Sequence, residues 1–288
     1  MGYLSRVSSH YKKGGLDSVI VSVKDTIRNN VVQTSKEWGG SNVSDFYTDS
    51  IVRLPGYDLK VDPEDGGISH ELMNSGIREP AAYWNYRRVI SQMDSPIVFE
   101  AGANLGYYAL AAATDAPDAH VICAELDDNN VKMLNKNVKM NGLEEQFSVS
   151  QAALDEKSRS VERTIDENSN CHRIHPTDDS TPTETVQTIN AGEFIQNQGF
   201  EQHDIDVVRM DVEGSEVRIL RGAPDLEPEA AHIEVHLPIL TSSEWDDLID
   251  IFENWPCDLI GSYKGNREFD VDTIHDIPVN KSVELVFG

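Results

Sequence analysis

The stretch from residue 97 to residue 108, I-V-F-E-A-G-A-N-L-G-Y-Y, constrains the fold of this 288-residue chain more than any other. An apolar run ends on Glu100, turns through Gly102 and Gly106, and enters an alanine-rich segment. A buried strand followed by a glycine loop and a helix is typical of the first unit of a doubly wound α/β sheet. The N-terminus of such a helix offers free backbone N–H groups to a ligand. The sequence therefore predicts a nucleotide-like cofactor after the first parallel strand.

The spacing of the two glycines narrows the choice of cofactor. The dinucleotide fingerprint G-x-G-x-x-G would place glycines at positions where this chain has Asn104 and Tyr107. The pattern found, E-x-G-x-N-x-G, resembles the S-adenosylmethionine (SAM) loop of Rossmann-like methyltransferases. A tight turn that binds nothing is the alternative at this point. The candidate cofactor-binding residues of this loop are Glu100, Gly102, Asn104 and Gly106.

A second candidate region follows at the end of the next predicted strand, residues 120–125. In doubly wound sheets an acidic residue about 20 positions after the glycine loop binds the ribose hydroxyls, and Glu125 stands at this place. The alternative is that Glu125 only supports the start of the following helix. The third strand, residues 147–150, leads to Ala152, where small side chains suit a flat adenine ring. Leu126 and Ala152 join Glu125 as candidates.

The remaining pattern predicts an α/β fold with a mostly parallel, doubly wound sheet and antiparallel final strands. We expect an N-terminal extension over residues 1–94 and the main domain over residues 95–288, with a polar insertion at 154–185. Within the extension we expect an amphipathic helix at 16–31, a hairpin at 46–61 and lead-in helices at 68–93. In the main domain the later strands are expected at 205–211, 231–236, 257–262 and 282–287.

The charge of the chain limits its partners. It carries 50 Asp and Glu against 24 Lys and Arg, a formal net charge of −26. Such a surface repels polyanions and anionic membranes, so nucleic acid is an unexpected substrate. The acidity is spread along the whole chain, as it is in halophilic proteins. No apolar run reaches the roughly 18 residues of a membrane span.

The cysteines do not indicate a disulfide framework or a zinc ribbon. Cys123, Cys171 and Cys257 are odd in number and lack C-x-x-C spacing. Cys171, His172 and His175 are too few ligands, in a segment without pattern, to predict a metal site. We therefore expect no metal and a cytoplasmic protein.

Polar residues also follow the fourth and fifth predicted parallel strands. If these strands lie beside the first one, their side chains converge next to the cofactor. Methyl transfer from a sulfonium needs an aligned nucleophile, and a hydroxyl acceptor needs a group that takes its proton. Ordinary turn, helix-start and strand-end roles are the alternatives. The candidate catalytic residues are Asp211, Glu213, Glu234 and His236.

These residues together resemble the FkbM-type methyltransferase family over about residues 68–240. The motifs that carry the resemblance are I-S-H-E-L-M-N-S-G-I-R-E-P (68–80), F-E-A-G-A-N-L-G-Y-Y (99–108), N-V-K-M-N-G-L (137–143), D-V-V-R-M-D-V-E-G-S-E (206–216), L-R-G-A (220–223) and I-E-V-H (233–236). The chain departs from the family at Arg209, where lysine is common, and at Leu126, where proline follows the strand-two acid.

The resemblance implies a Rossmann-like class I methyltransferase that uses SAM, usually to methylate a hydroxyl of a sugar or another small metabolite. The expected partner is thus a small-molecule or glycan acceptor, and residues 16–31 could form a homo-oligomer contact. A non-catalytic SAM-binding module and an NAD(P)-dependent oxidoreductase are the rival hypotheses. The missing glycines at 104 and 107 disfavour the latter.

Overall fold

A computed structural model describes residues 50–164, 174, 182–264, 267–269, 274–277, 280 and 282–288. The predicted helix at 16–31 and the candidates Cys171, His172 and His175 lie outside these residues. The helices are α1 (Ile68–Ser75), α2 (Pro80–Ile90), α3 (Tyr107–Asp115), α4 (Asp128–Met140), α5 (Ala191–Asn197), α6 (Glu216–Gly222) and α7 (Ser242–Glu253). The strands are β1 (Ile51–Leu54), β2 (Tyr57–Lys60), β3 (Ile97–Ala101), β4 (His120–Glu125), β5 (Phe147–Gln151), β6 (Ala153–Asp155), β7 (Ser160–Thr164), β8 (Thr183–Asn190), β9 (Val207–Met210), β10 (Ala230–Val235), β11 (Leu259–Lys264), β12 (Arg267–Phe269) and β13 (Val283–Phe287).

The central sheet has eight described strands in the order β12-β11-β13-β10-β9-β3-β4-β5. Strands β10, β9, β3, β4 and β5 are parallel to one another, whereas β13 runs antiparallel to both β10 and β11. The order reverses at β3, which pairs with β4 on one side and β9 on the other. This switch point is where open α/β sheets bind ligands. The predicted fold class is confirmed.

Strand alternation divides the core between the two faces of the sheet. Val98 packs with helices α1 to α4 on one face, and Phe99 packs with α5 to α7 on the other. Helix α3 is apolar on every side, because its residues from Tyr107 to Ala113 are all buried. Its alanines let α3 lie close to the sheet, and the glycine loop that precedes it is therefore held firmly.

The described part of the N-terminal segment packs on the same core as the main sheet. Strands β1 and β2 form the predicted hairpin, and the predicted lead-in region at 68–93 forms two helices, α1 and α2, of which α1 ends at Gly76. Asn137 of α4 holds the hairpin, since its side chain accepts from Lys60 N at 2.7 Å and donates to Lys60 O at 3.0 Å. The division of the chain at residues 94 and 95 stays a prediction.

The polar insertion contributes a small second sheet. Strand β8 lies between β6, to which it is parallel, and β7, to which it is antiparallel. Strand β12 at the edge of the main sheet was not predicted from the sequence. Among the described residues, no helix has both the length and the apolar character needed to cross a membrane.

Candidate functional site

A cavity opens at the carboxyl ends of β3, β4 and β9. It encloses about 840 Å³ of empty space, with its solvent-open mouth included. Ile174 of the insertion and Tyr107 of α3 contribute to its walls. Most of the predicted cofactor residues line it, namely Glu100, Gly102, Asn104, Glu125, Leu126 and Ala152. Gly106 does not line the cavity but begins helix α3.

The glycine loop is held in a left-handed backbone conformation that few residues adopt. Gly102 has φ +77°, Asn104 φ +50° and Gly106 φ +93°. A Cβ atom on Gly102 would lie 1.9 Å from the carbonyl oxygen of Asp211. The glycine at 102 is thus required by the contact between two strand ends, in addition to the approach of a ligand that the sequence suggested.

Glu125 fastens the glycine loop to the end of β4. Its Oε2 accepts from Asn104 N at 2.7 Å, and its Oε1 accepts from Asp127 N at 2.8 Å. The helix-start role belongs to Asp127, whose side chain accepts from the N–H groups of Asn129 and Asn130. Oε1 of Glu125 also accepts from Asn130 Nδ2 at 3.5 Å, whereas Oε2 keeps a second lone pair with which it can accept from a ribose hydroxyl.

Glu100 and Arg209 form a buried pair on neighbouring strands of the cavity floor. They are Cα partners in the pairing of β3 with β9, and only 1% of Glu100 and 2% of Arg209 is exposed. Burial raises the pKa of Glu100 to about 8, against the opposing effect of Arg209. Oε2 of Glu100 is buried without a hydrogen-bond partner. It is therefore an acceptor to which a bound cofactor could donate.

The four predicted catalytic residues, here called the acceptor cluster, come together beside this cavity: Asp211, Glu213, Glu234 and His236. The register of β9 with β10 pairs Met210 with Ile233, so the residues that follow each of them become neighbours. His236 Nε2 lies 3.4 Å from Glu213 Oε2 and 3.9 Å from Glu234 Oε1. Asp211 and Glu213 line the cavity wall, which joins the cluster to the cofactor side.

Charges around the cluster set its protonation in the absence of a ligand. Burial would raise the pKa of Asp211, but Arg209 and Arg78 outweigh it and lower the value to about 2. Burial would lower the pKa of His236, but its hydrogen bond to Glu216 and the charge of that carboxylate raise it to about 10. Burial and the charge of Asp211 raise the pKa of Glu234 to about 8.

Two further residues complete the site and were not assigned a role from the sequence. Arg78, between α1 and α2, lies 3.7 Å from Asp211 Oδ2 and 3.5 Å from Glu234 Oε2. Glu216, fully buried at the start of α6, accepts from His236 Nδ1 at 2.7 Å. Both residues lie within motifs of the family resemblance, at 68–80 and 206–216, and this position in the motifs could have indicated a role for them.

The described residues also contain a set that could hold a metal ion. Asp211, Glu234 and His236 each offer one ligand atom, and these atoms lie within 4.8 Å of one another. From the sequence, no metal site was expected, and these side chains were assigned to catalysis. The segment with Cys171, His172 and His175 lies outside the described residues.

The residues of the cavity fit SAM. The left-handed loop brings backbone close to the space that a ligand would occupy, since Ala103 and Asn104 line the cavity. The unpartnered Glu100 Oε2 suits an ammonium group, and Glu125 suits a ribose. Ala152 leaves room for a flat base beyond β5.

Several solved structures are similar to this chain. TYW2 of P. horikoshii in complex with MeSAdo is 15% identical, with 84% of this chain and 71% of that chain covered and a TM-score of 0.45. TYW2 of M. jannaschii in complex with AdoMet is 14% identical, with 86% and 87% covered and a TM-score of 0.44. The M. jannaschii tRNA m1G37 methyltransferase is 15% identical, with 86% and 55% covered and a TM-score of 0.43. Similarities at this level say nothing about the acceptor of this chain.

Among curated proteins, no sequence matches the chain significantly. The family described as the methyltransferase FkbM domain matches residues 99–255, which is more than half of the chain. That range contains the glycine loop, Glu125 and the whole acceptor cluster. The chain is therefore a SAM-dependent methyltransferase that belongs to the FkbM family.

Proposed function

We propose that this methyltransferase transfers the methyl group to a hydroxyl of a sugar or another small metabolite. The observation that carries the proposal is the acceptor cluster, because Asp211 both lines the cofactor cavity and belongs to a group of carboxylates and an imidazole. A hydroxyl placed between the cavity and this cluster would meet an electrophile on one side and hydrogen-bond acceptors on the other.

Each part of the site has a distinct task in this proposal. When bound, SAM supplies a methyl group on a positively charged sulfur. Glu125 and the glycine loop position the cofactor, and Asp211 accepts a hydrogen bond from the acceptor hydroxyl so that its oxygen points into the cavity. The proton leaves to a carboxylate of the acceptor cluster. The guanidinium of Arg78 lies between the carboxylates of Asp211 and Glu234, so that it offsets their mutual repulsion and holds both side chains in place.

The net charge of −26 supports a small acceptor rather than a nucleic acid. A polyanion would lose binding energy against this surface, whereas a neutral sugar or metabolite would not. The alternative of a non-catalytic SAM-binding module leaves the converging acceptor cluster without a purpose. Cys123 and Cys257 are free thiols, which supports a cytoplasmic location.

The test is transfer of labelled methyl from SAM to fractionated sugars and metabolites, followed by identification of the methylated atom. We expect an O-methyl ether as product. Asp211→Asn should lower turnover by about 10²- to 10⁴-fold, the usual contribution of proton transfer, and leave the SAM affinity nearly unchanged. Asp118→Asn, at an exposed residue away from the cavity, is the matched control.

Two results would contradict the proposal. Label that enters RNA, or a nitrogen or carbon atom, would show a different acceptor class. If Asp211→Asn lost SAM binding in proportion to turnover, Asp211 would belong to the cofactor side of the site.

A further inference from the structure

The side chains of Asp211, Glu234 and His236 are spaced as the ligands of one metal ion. Their ligand atoms lie within 4.8 Å of one another. Ligands bound at about 2.0–2.4 Å from a common ion are at most about 4.8 Å apart, when they are on opposite sides of it. All three could therefore reach one ion without movement of β9 or β10.

His236 is oriented as metal-bound histidines are. Its Nδ1 donates to Oε1 of Glu216, a residue with no exposed surface. This bond directs the other ring nitrogen, Nε2, toward Glu234 and Glu213. A carboxylate that holds the far nitrogen of a metal-ligating histidine, fixing its tautomer and direction, is the usual support of such a ligand.

Carboxylates outnumber the basic side chains around the acceptor cluster, where Arg78 and Arg209 both contact Asp211. Arg78 is shared among four carboxylates, those of Glu71, Glu79, Asp211 and Glu234. Oε2 of Glu234 is buried without a hydrogen-bond partner, although Arg78 Nη2 lies 3.5 Å away, and Oε2 of the fully buried Glu216 also has none. Buried carboxylates are stable when paired or bound to a metal. A divalent cation would complete this balance.

We propose that Asp211, Glu234 and His236 bind one divalent transition-metal ion, of which Mn²⁺ is the probe and Zn²⁺ a competitor. Transition-metal ions bind well to imidazole nitrogen, so two carboxylates and one imidazole suit such an ion better than a set of oxygen ligands alone does. Three protein ligands leave coordination positions open for an acceptor oxygen beside the cavity wall formed by Asp211.

The role of the ion rests on the proposed hydroxyl acceptor, whereas its binding does not. A hydroxyl oxygen bound to the ion would become more acidic, and Asp211, which lines the cavity, would hold the ion at the cavity wall. Its proton passes to Glu213, whose Oε2 lies 3.4 Å from His236 Nε2. The oxygen then bonds to the methyl carbon while the carbon–sulfur bond breaks, and the electron pair of that bond stays on sulfur.

The test of the site is a titration of the full chain with Mn²⁺, in which electron paramagnetic resonance measures the bound ion. SAM and acceptor are left out. The measurement is made in 1 M KCl, so that weak association with the acidic surface is screened. We expect one Mn²⁺ per chain, and a weakening of about 10- to 100-fold or more in Glu234→Gln and His236→Gln. The control is His275→Gln, because His275 forms an exposed pair with Glu253 at 2.8 Å. It should bind like the wild type.

A second measurement does not depend on how the variants fold. Pulsed spectroscopy of wild-type Mn²⁺ should show coupling to a directly bound imidazole nitrogen. Absence of a one-to-one site, absence of nitrogen coupling, or equal affinity in all variants would overturn the proposal. If metal-free enzyme transferred methyl at the full rate, the ion would have no part in the reaction. The proposal of a hydroxyl acceptor would then be judged separately, by the labelled-methyl transfer described above.

Discussion

The two sides of the proposed active site, the proposed cofactor side and the proposed acceptor side, are built in different ways. The cofactor side consists of consecutive β–α units, and its contacts are largely made by backbone, such as the bond from Asn104 N to Glu125. The acceptor side consists of charged side chains that come from Arg78, from Asp211 at the end of β9, and from Glu234 and His236 at β10. One side depends on backbone conformation, and the other depends on the balance of buried charge. Substitutions should therefore affect them differently.

The largest effect is expected from Gly102→Ala on the cofactor side. The new Cβ would collide with the Asp211 carbonyl oxygen, which also displaces the acceptor side. Calorimetry should detect no SAM binding. The control is Gly142→Ala, because Gly142 has a similar φ of +69° but open space around its Cβ. It should lose about 1–2 kcal/mol of stability and keep its SAM affinity. SAM binding by Gly102→Ala at wild-type strength would refute the contact.

Arg78→Met tests the charge balance of the acceptor side. Asp211 and Glu234 would lose a shared counter-ion in a site where only 15% of Arg78 is exposed. Breaking a buried ion pair from one side costs about 3–5 kcal/mol, and urea unfolding should show a loss of this order. Arg88→Met, at an exposed arginine on α2, should change stability by less than about 0.5 kcal/mol. Equal losses in the two variants would contradict the shared role of Arg78.

Glu125→Ala separates cofactor binding from helix capping. The variant loses the acceptor of two backbone N–H groups and the proposed ribose contact, so SAM binding should weaken by about 1–3 kcal/mol. Asp127→Ala removes the cap of α4 and should lower stability by about 1 kcal/mol with SAM affinity unchanged. Equal SAM affinity of the wild type and Glu125→Ala would remove the ribose assignment.

The smallest effect concerns the outer surface rather than either side of the site. The acidic side chains behind the net charge of −26 repel one another, and the screening length of this repulsion falls from about 10 Å in 0.1 M salt to about 3 Å in 1 M salt. The melting temperature should therefore rise between 0.1 and 2 M KCl. A flat or falling temperature would refute the halophilic interpretation of the acidic surface.

Much of the fold could be predicted because it is written in local patterns. The strand before Glu100, the hairpin around Gly56 and the break at Gly76 are each marked by apolar period or by glycine within a few residues. Strand β12 was missed because three residues at the edge of a sheet carry no such period. The sequence explained only part of the need for glycine at position 102, because the carbonyl of Asp211 that excludes a Cβ atom there is distant in the sequence.

The sequence by itself determined the alternation of strands and helices, the loop spacing that excludes a dinucleotide fingerprint, and the family. These properties follow from backbone preferences and burial, which act over a few residues. Only the tertiary structure decided that Arg78 meets Asp211 and Glu234, and that Glu216 holds His236. Those contacts depend on the register of β9 with β10 and on where the α1–α2 turn lies across them. Charge interactions change steeply over a few ångströms, and such distances between remote segments are fixed only by the packed core.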